Sequence, residues 1–319
     1  MTALTRELAG CLRQAVKTSR VLFRIIVPIA IAVRLLEMAG AIDLLGRLLA
    51  PLMAMVGLPG SLGLVWATTL VTNLYAGMVV FAGVAPGAGL TVAQVTVLAT
   101  MMLIAHAIPV EASIAQQAGT RFRTMAALRI LGAFTAGALL NLGYTLSGTL
   151  QQANTALWNP PPRDPSWLGW ALGEVRTLAC IFLIILALLI LMRLLERLGI
   201  IAGLTRLLRP VLTLLGISER AAPLAIIGMT LGLTYGGGMI IQEARAGQLS
   251  RQDVFCALAL LGICHSFIED TLLMVIIGGH LSGILVGRTL FALLVTFFVA
   301  RLLRHLPETV LDRWFFGRH

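Results

Sequence analysis

Two short segments hold the residues most able to do chemistry: His106-Ala107-Ile108-Pro109-Val110-Glu111 and Cys264-His265-Ser266-Phe267-Ile268-Glu269-Asp270-Thr271. A histidine exchanges protons in the physiological range and, when neutral, offers a ring lone pair to a cation, while a carboxylate accepts either. On a continuous helix His265 and Glu269 would share a face, with Asp270 about 100° away. Pro109 removes a backbone donor and should break or kink the helix between His106 and Glu111. Cys264, His265 and Glu269 could bind a transition metal, but the sequence names no further ligand and leaves the metal open. The competing reading is a buried polar network that fixes helix packing.

A second constellation surrounds glycines. Thr234-Tyr235-Gly236-Gly237-Gly238-Met239 is followed by Gln242 and Glu243, and Asn73-Leu74-Tyr75-Ala76-Gly77-Met78 has the same character. Each glycine is about 1 kcal/mol worse than alanine inside a helix. Three in succession beside Tyr235 suggest an unwound stretch that offers Thr234, Tyr235, Gly237, Asn73 and Tyr75 to a ligand. Small residues also permit close helix packing, which is their commoner use in membranes.

The elements that position these groups are membrane helices. Hydrophobic residues make up 58% of the 319 residues, charged residues only 12%, and mean hydropathy is +0.94. A soluble domain carries about 25% charge, so a water-soluble fold is excluded. The runs 62–84 and 177–192 lack charge over about the length that crosses a bilayer core. The net charge of +10 lies mostly at span ends and in short connections, where it meets anionic headgroups, so nucleic acid is not an expected partner. The four cysteines are scattered, with no CxxC spacing, and should be free thiols. Arg6, Glu7, Arg13, Lys17 and Arg20 argue against a cleavable signal, and Leu4, Leu8, Leu12 and Val16 describe an amphipathic interfacial helix. Its cations favour a cytoplasmic N-terminus.

The chain also repeats itself. At an offset of 159 residues Arg34 and Glu37 recur as Arg193 and Glu196, Pro51 as Pro210, His106 as His265, Glu111 as Asp270, and Arg129 as Arg288. Such coincidences are not expected by chance in apolar spans. The expected fold class is therefore all-α: a polytopic helical membrane protein of two tandem structural repeats with broken or re-entrant helices. Residues 1–19 form the amphipathic helix, 20–150 repeat one, 151–169 a Pro-rich aqueous linker, 170–306 repeat two and 307–319 a tail. The expected segments are 20–40, 42–56, 61–84, 91–117 and 124–149, then 171–197, 201–215, 221–243, 252–277 and 284–304. Residues 42–56 and 201–215 fit interfacial or re-entrant helices. Trp158, Trp167 and Trp170 should anchor the linker at the interface. An even number of crossings per repeat gives parallel repeats and an odd number inverted ones. The cations fall at different places in the two repeats, which leans toward inversion.

This doubled unit, with its glycine-rich segments and paired His-to-acid motifs, resembles a pair of Gate, or nucleoside-recognition, domains over about residues 20–306. Such domains occur in concentrative nucleoside transporters, the membrane part of ferrous iron transporter B, and spore maturation proteins A and B. The chain lacks a GxxxxGK[ST] phosphate loop, which argues against GTPase-driven iron uptake. Here two units are fused, unlike the separate spore maturation proteins. The expectation is a transporter or permease for a small solute or ion, proton-coupled, in a bacterial inner membrane. Its site would join His106, Glu111, His265, Glu269 and Asp270 to Asn73, Tyr75, Thr234, Tyr235, Gly237, Gln242 and Glu243. The alternative is a non-transporting assembly or signalling protein. No GxSxG elbow or HExxH zinc helix is present, so no enzyme activity and no cofactor are expected. The bilayer is the expected partner, and self-association is left open.

Overall fold

A computed structural model describes residues 3–86, 88–158 and 166–317, and excludes the side chains of residues 3–8, 43, 234 and 235. Repeat one comprises α1 (Ala3–Met38), α2 (Ala41–Ala54), α3 (Leu62–Val71), α4 (Leu74–Val84), α5 (Val92–Ile104), α6 (Ile108–Gln117) and α7 (Phe122–Ser147). Repeat two comprises α8 (Trp167–Arg197), α9 (Ile200–Leu214), α10 (Ala221–Leu231), α11 (Leu233–Arg245), α12 (Arg251–Ile263), α13 (Glu269–Ile276) and α14 (Arg288–His305), the last preceded by a π-helical segment, Ser282–Gly287. The described residues contain no strand, only isolated β-bridges.

The N-terminal segment is not a separate interfacial helix. Amphipathic and apolar parts form one 36-residue helix containing Pro28, about 54 Å long at 1.5 Å per residue. No glycine or proline near Arg20 interrupts its register, so Thr18 and Ser19 stay inside the helix and nothing ends the first part before the second begins. The amphipathic segments after the first helix of each repeat are present as α2 and α9.

The runs 61–84 and 221–243 are not spans. Each is a helical hairpin whose arms, 10 to 13 residues long, are too short to cross a core about 30 Å thick. In repeat one the turn is at Thr72 and Asn73, where the Asn73 side chain caps α4 by accepting from the Ala76 N–H at 2.9 Å. In repeat two it is at Gly232, whose φ of 95° is open to glycine. Gly57, before α3, accepts from Gln94 at the start of α5, and α4 returns through a short loop to that same start. Ser218, before α10, likewise donates to Asp253 at the start of α12. Both ends of each hairpin therefore lie together, and the tip points inward. The apolar run had the length of a span because it is two short helices laid side by side.

In the paired broken helices α5–α6 and α12–α13, the first members α5 and α12 are almost wholly buried at the centre, and α6 and α13 only partly. They run antiparallel. Asn154 donates from its backbone to Leu90, before α5, and from its side chain to Ile277, after α13. At the other end the tail joins Gly119, after α6, to Phe255 of α12: Gly317 N–H reaches Gly119 O at 2.9 Å and Phe316 packs on Phe255. The corresponding central helices of the two halves thus run in opposite directions, so the two halves are inverted. Around this core, α7, α8 and α14 present exposed leucines such as Leu131, Leu139, Leu172, Leu183, Leu290 and Leu294, the surface a lipid-facing helix needs.

The linker is only partly an aqueous loop. Residues 150–158 are tied to the start of α5 and the end of α13, Trp158 N–H donating to Ile276 O. Trp167 is exposed, but Trp170 is buried against α1 and α8 residues rather than anchored at an interface. The remaining linker positions, 159–165, lie outside the described residues. Beyond Leu306 the tail packs on the bundle, with Arg251 paired to Glu308 at 3.3 Å and to Asp312.

Candidate functional site

The site forms where α5 and α12 stop. Ala105 and Cys264 leave helical geometry, and the chain passes through left-handed Ala107 (φ 46°) and Ser266 (φ 44°) before α6 and α13 begin. Pro109 lies in the first turn of α6, where its missing N–H costs nothing. Repeat two makes the same break without a proline. The hairpin tips hold both breaks open: Ala107 N–H donates to Thr69 O at 3.0 Å, and Phe267 N–H to Met229 O at 2.7 Å.

A helix that stops leaves carbonyls without intrahelical partners. His106 Nδ1 lies 3.0 Å from Met102 O, and His265 Nδ1 2.7 Å from Leu261 O, so each ring satisfies a carbonyl of the helix it terminates. This orients both rings across the repeat interface, with the two Nε2 atoms 3.1 Å apart. Glu111 Oε1 is 3.2 Å from His106 Nε2 and 3.3 Å from His265 Nε2. Asp270 Oδ2 is 3.9 Å from His265 Nε2. The carboxylates sit in the first turns of α6 and α13, where the positive helix end favours them, and the histidines sit at the negative ends of α5 and α12.

Because the helix is interrupted at Cys264, the expected wheel of His265, Glu269 and Asp270 does not apply. Asp270, rather than Glu269, approaches the histidine, and half-buried Glu269 makes no ion pair with it. The two repeats also differ. Arg129 of α7 is 2% exposed and pairs with Glu111 Oε2 at 2.5 Å, while its Nε donates to Ile104 O at 2.9 Å. Its counterpart Arg288 is fully buried and donates to Thr271 at 3.3 Å, leaving Nε and Nη1 without protein partners. Neither arginine was assigned to the site from sequence; the signal available was their recurrence at the repeat offset inside apolar helices.

A family profile described as Gate, nucleoside recognition, matches residues 19–121 and again 179–281. The chain belongs to the Gate family. Each match falls within one of the two inverted units and stops before its last long helix, so the Gate repeat here is a long helix, an amphipathic helix, a helical hairpin and a broken helix. The uncharacterized membrane protein YvoD of Bacillus subtilis (strain 168) is 31% identical over 299 residues, which is 92% of this chain and 93% of that protein. No solved structure matches the chain. Family, relative and exposed apolar helices together make this a multi-pass membrane protein.

Most of the remaining expected site residues whose side chains are described do not join the central cluster. The stretch 234–238 is helical, inside α11, and the unwinding lies at Gly232 instead. Two of its three glycines serve packing. A Cβ at Gly236 would lie 2.3 Å from Gly228 Cα, and one at Gly237 would lie 2.7 Å from Ile114 of α6. Gly77 packs in the same way against Thr69, and Asn73 is spent as a helix cap. Tyr75 is half-buried between the core clusters and is the exception, lying close enough to Glu269 and Asp270 to feel their charge. Gln242 is exposed and Glu243 half-buried, both in the last turn of α11, and the side chains of Thr234 and Tyr235 lie outside the described residues.

Proposed function

We propose that this Gate protein is a transporter or permease for a small solute or ion, in a bacterial inner membrane with its N-terminus in the cytoplasm. The observation that carries the reading is the meeting of His106, His265 and Glu111 within 3.3 Å, across two inverted repeats and at two helix breaks. A site on the pseudo-two-fold axis of inverted repeats is equidistant from both membrane faces, as alternating access requires. Breaks held by hairpin tips give each half a movable support. Histidine beside carboxylate suits proton coupling.

The buried Glu111–Arg129 pair favours a second reading, a non-transporting membrane assembly whose polar centre is structural, since such pairs also fix helix positions. Flux in proteoliposomes decides between them. A panel of nucleosides, divalent cations and organic anions is expected to include one solute that moves with the native chain and stops with His265→Ala. No movement across the panel, with correctly folded protein in the vesicles, favours the assembly.

A further inference from the structure

We propose that His106 Nε2, His265 Nε2, Glu111 Oε1 and Asp270 Oδ2 together bind a single divalent transition-metal ion. The proposal deepens the transport reading by naming its ligand class, and it rests on the central cluster being the binding site.

The argument begins with the tautomers. Met102 O and Leu261 O are backbone carbonyls and can only accept, so each histidine Nδ1 carries a proton. A neutral ring protonated there presents a bare lone pair at Nε2. Two such lone pairs face each other at 3.1 Å, and Glu111 Oε1, a third acceptor, lies 3.2 and 3.3 Å from them. Acceptors alone repel at these distances, so the arrangement calls for a cation among them, a shared proton or a metal ion. The ligand atoms of His106, His265 and Asp270 also lie within 4.8 Å of one another.

The spacing then selects the ion. Ligands at about 2.0–2.1 Å from a tetrahedral metal stand about 3.3–3.4 Å apart, which three of these contacts nearly match. Asp270 Oδ2, 3.9 Å from His265 Nε2 and within 4.8 Å of His106, would move inward to complete the set. Two imidazole nitrogens with carboxylate oxygens suit zinc, cobalt, iron or manganese, whereas magnesium and calcium take all-oxygen shells and copper(I) prefers sulfur. The outer contacts are those of a metal site: a carbonyl behind each histidine, and Arg129 holding the far oxygen of Glu111. His106, His265 and Glu111 already touch one another, so a nucleoside or an organic anion would have to push them apart. Glu111 and Asp270 offset the ion's two charges, while Arg129 and Arg288 oppose it, which suits an ion that exchanges rather than one held permanently.

The test is a titration of the chelator-stripped full chain in detergent with Co²⁺, read by its visible d–d absorption. One ion per chain with an intense four-coordinate spectrum, displaced by Zn²⁺, is expected, and His265→Ala should lose it. Glu308→Gln in the tail should leave it unchanged. Should His265→Ala fail to fold, X-ray absorption of the native chain with bound Zn²⁺ should still count two imidazole ligands. A spectrum that stays that of aqueous Co²⁺, or a bound ion with no imidazole, overturns the proposal. Flux of some other solute without metal binding also overturns it and leaves the transport reading standing. Stoichiometric metal binding with no flux of any solute does the reverse.

Discussion

Glu111 has two partners of different kind, since Oε1 faces the histidines and Oε2 faces Arg129. Removing its charge therefore does more than alter the central site: it strands a guanidinium that is 2% exposed. Breaking a buried pair from one side costs about 3–5 kcal/mol. Glu111→Gln should lower thermal stability by a margin of that order, followed in detergent through a thiol-reactive dye that reads the buried Cys256 and Cys264. Adding Arg129→Met should recover most of the loss without restoring ion binding. Asp270→Asn, which has no arginine within ion-pair distance among the described residues, should barely move the melt. Equal destabilisation by the two acid variants would sink this distinction. In the sequence Glu111 and Asp270 are equivalent at the repeat offset; their inequality comes from α7 and α14, whose distances no local pattern encodes.

At the scale of elements, the break and the hairpin decide what each glycine does. A Cβ at Gly236 meets backbone of the opposing arm at 2.3 Å, and one at Gly228 meets Leu261 at 2.6 Å, whereas one at Gly238 meets nothing within 4 Å. Gly236→Ala should force the α10–α11 hairpin apart and reduce folded yield, because backbone cannot rotate away as a flexible side chain can. Gly238→Ala should be neutral or raise stability by up to about 1 kcal/mol through helix propensity. Size-exclusion yield and melting temperature of the two variants measure the contrast, and a harmless Gly236→Ala would remove the case for tight packing. The same elements show where sequence reasoning stops. The repeat, the amphipathic α2 and α9, and the break just before Pro109 were all legible from residue types. The hairpins were not, because an uncharged run has the same length whether it crosses or turns back; Asn73 and Gly232 mark the turns only once the fold is seen. The break after Cys264 has no proline to announce it and is held instead by the Phe267 to Met229 hydrogen bond across the hairpin tip.

For the whole molecule, the inverted repeats share a fold but dock their hairpins differently. Ala76 and Val79 of α4 share a buried cluster with Ile26 and Ala30 of α1 and with Ile181 and Ile185 of α8. The equivalent arm of repeat two, α11, packs across the interface onto α6, Gly237 against Ile114. Two copies of one unit in unequal arrangements are what inverted-repeat transport needs, since exchanging the arrangements turns the site toward the other face. The sequence offset identified the repeat, but no offset can report which half holds which arrangement, because both arrangements must suit nearly the same residues. If α11 leaves α6 during the cycle, fixing the two together should stop it. Ile114→Cys with Gly237→Cys brings the two positions close enough for oxidation to join them, and replacing isoleucine relieves the crowding a cysteine at 237 would meet. Flux through the oxidised pair should stop and then return on reduction, with each single variant and the native chain insensitive to both treatments. Complete cross-linking with undiminished flux would mean that α6 and α11 travel as one body, and the exchange would have to be sought between α4 and α1 instead.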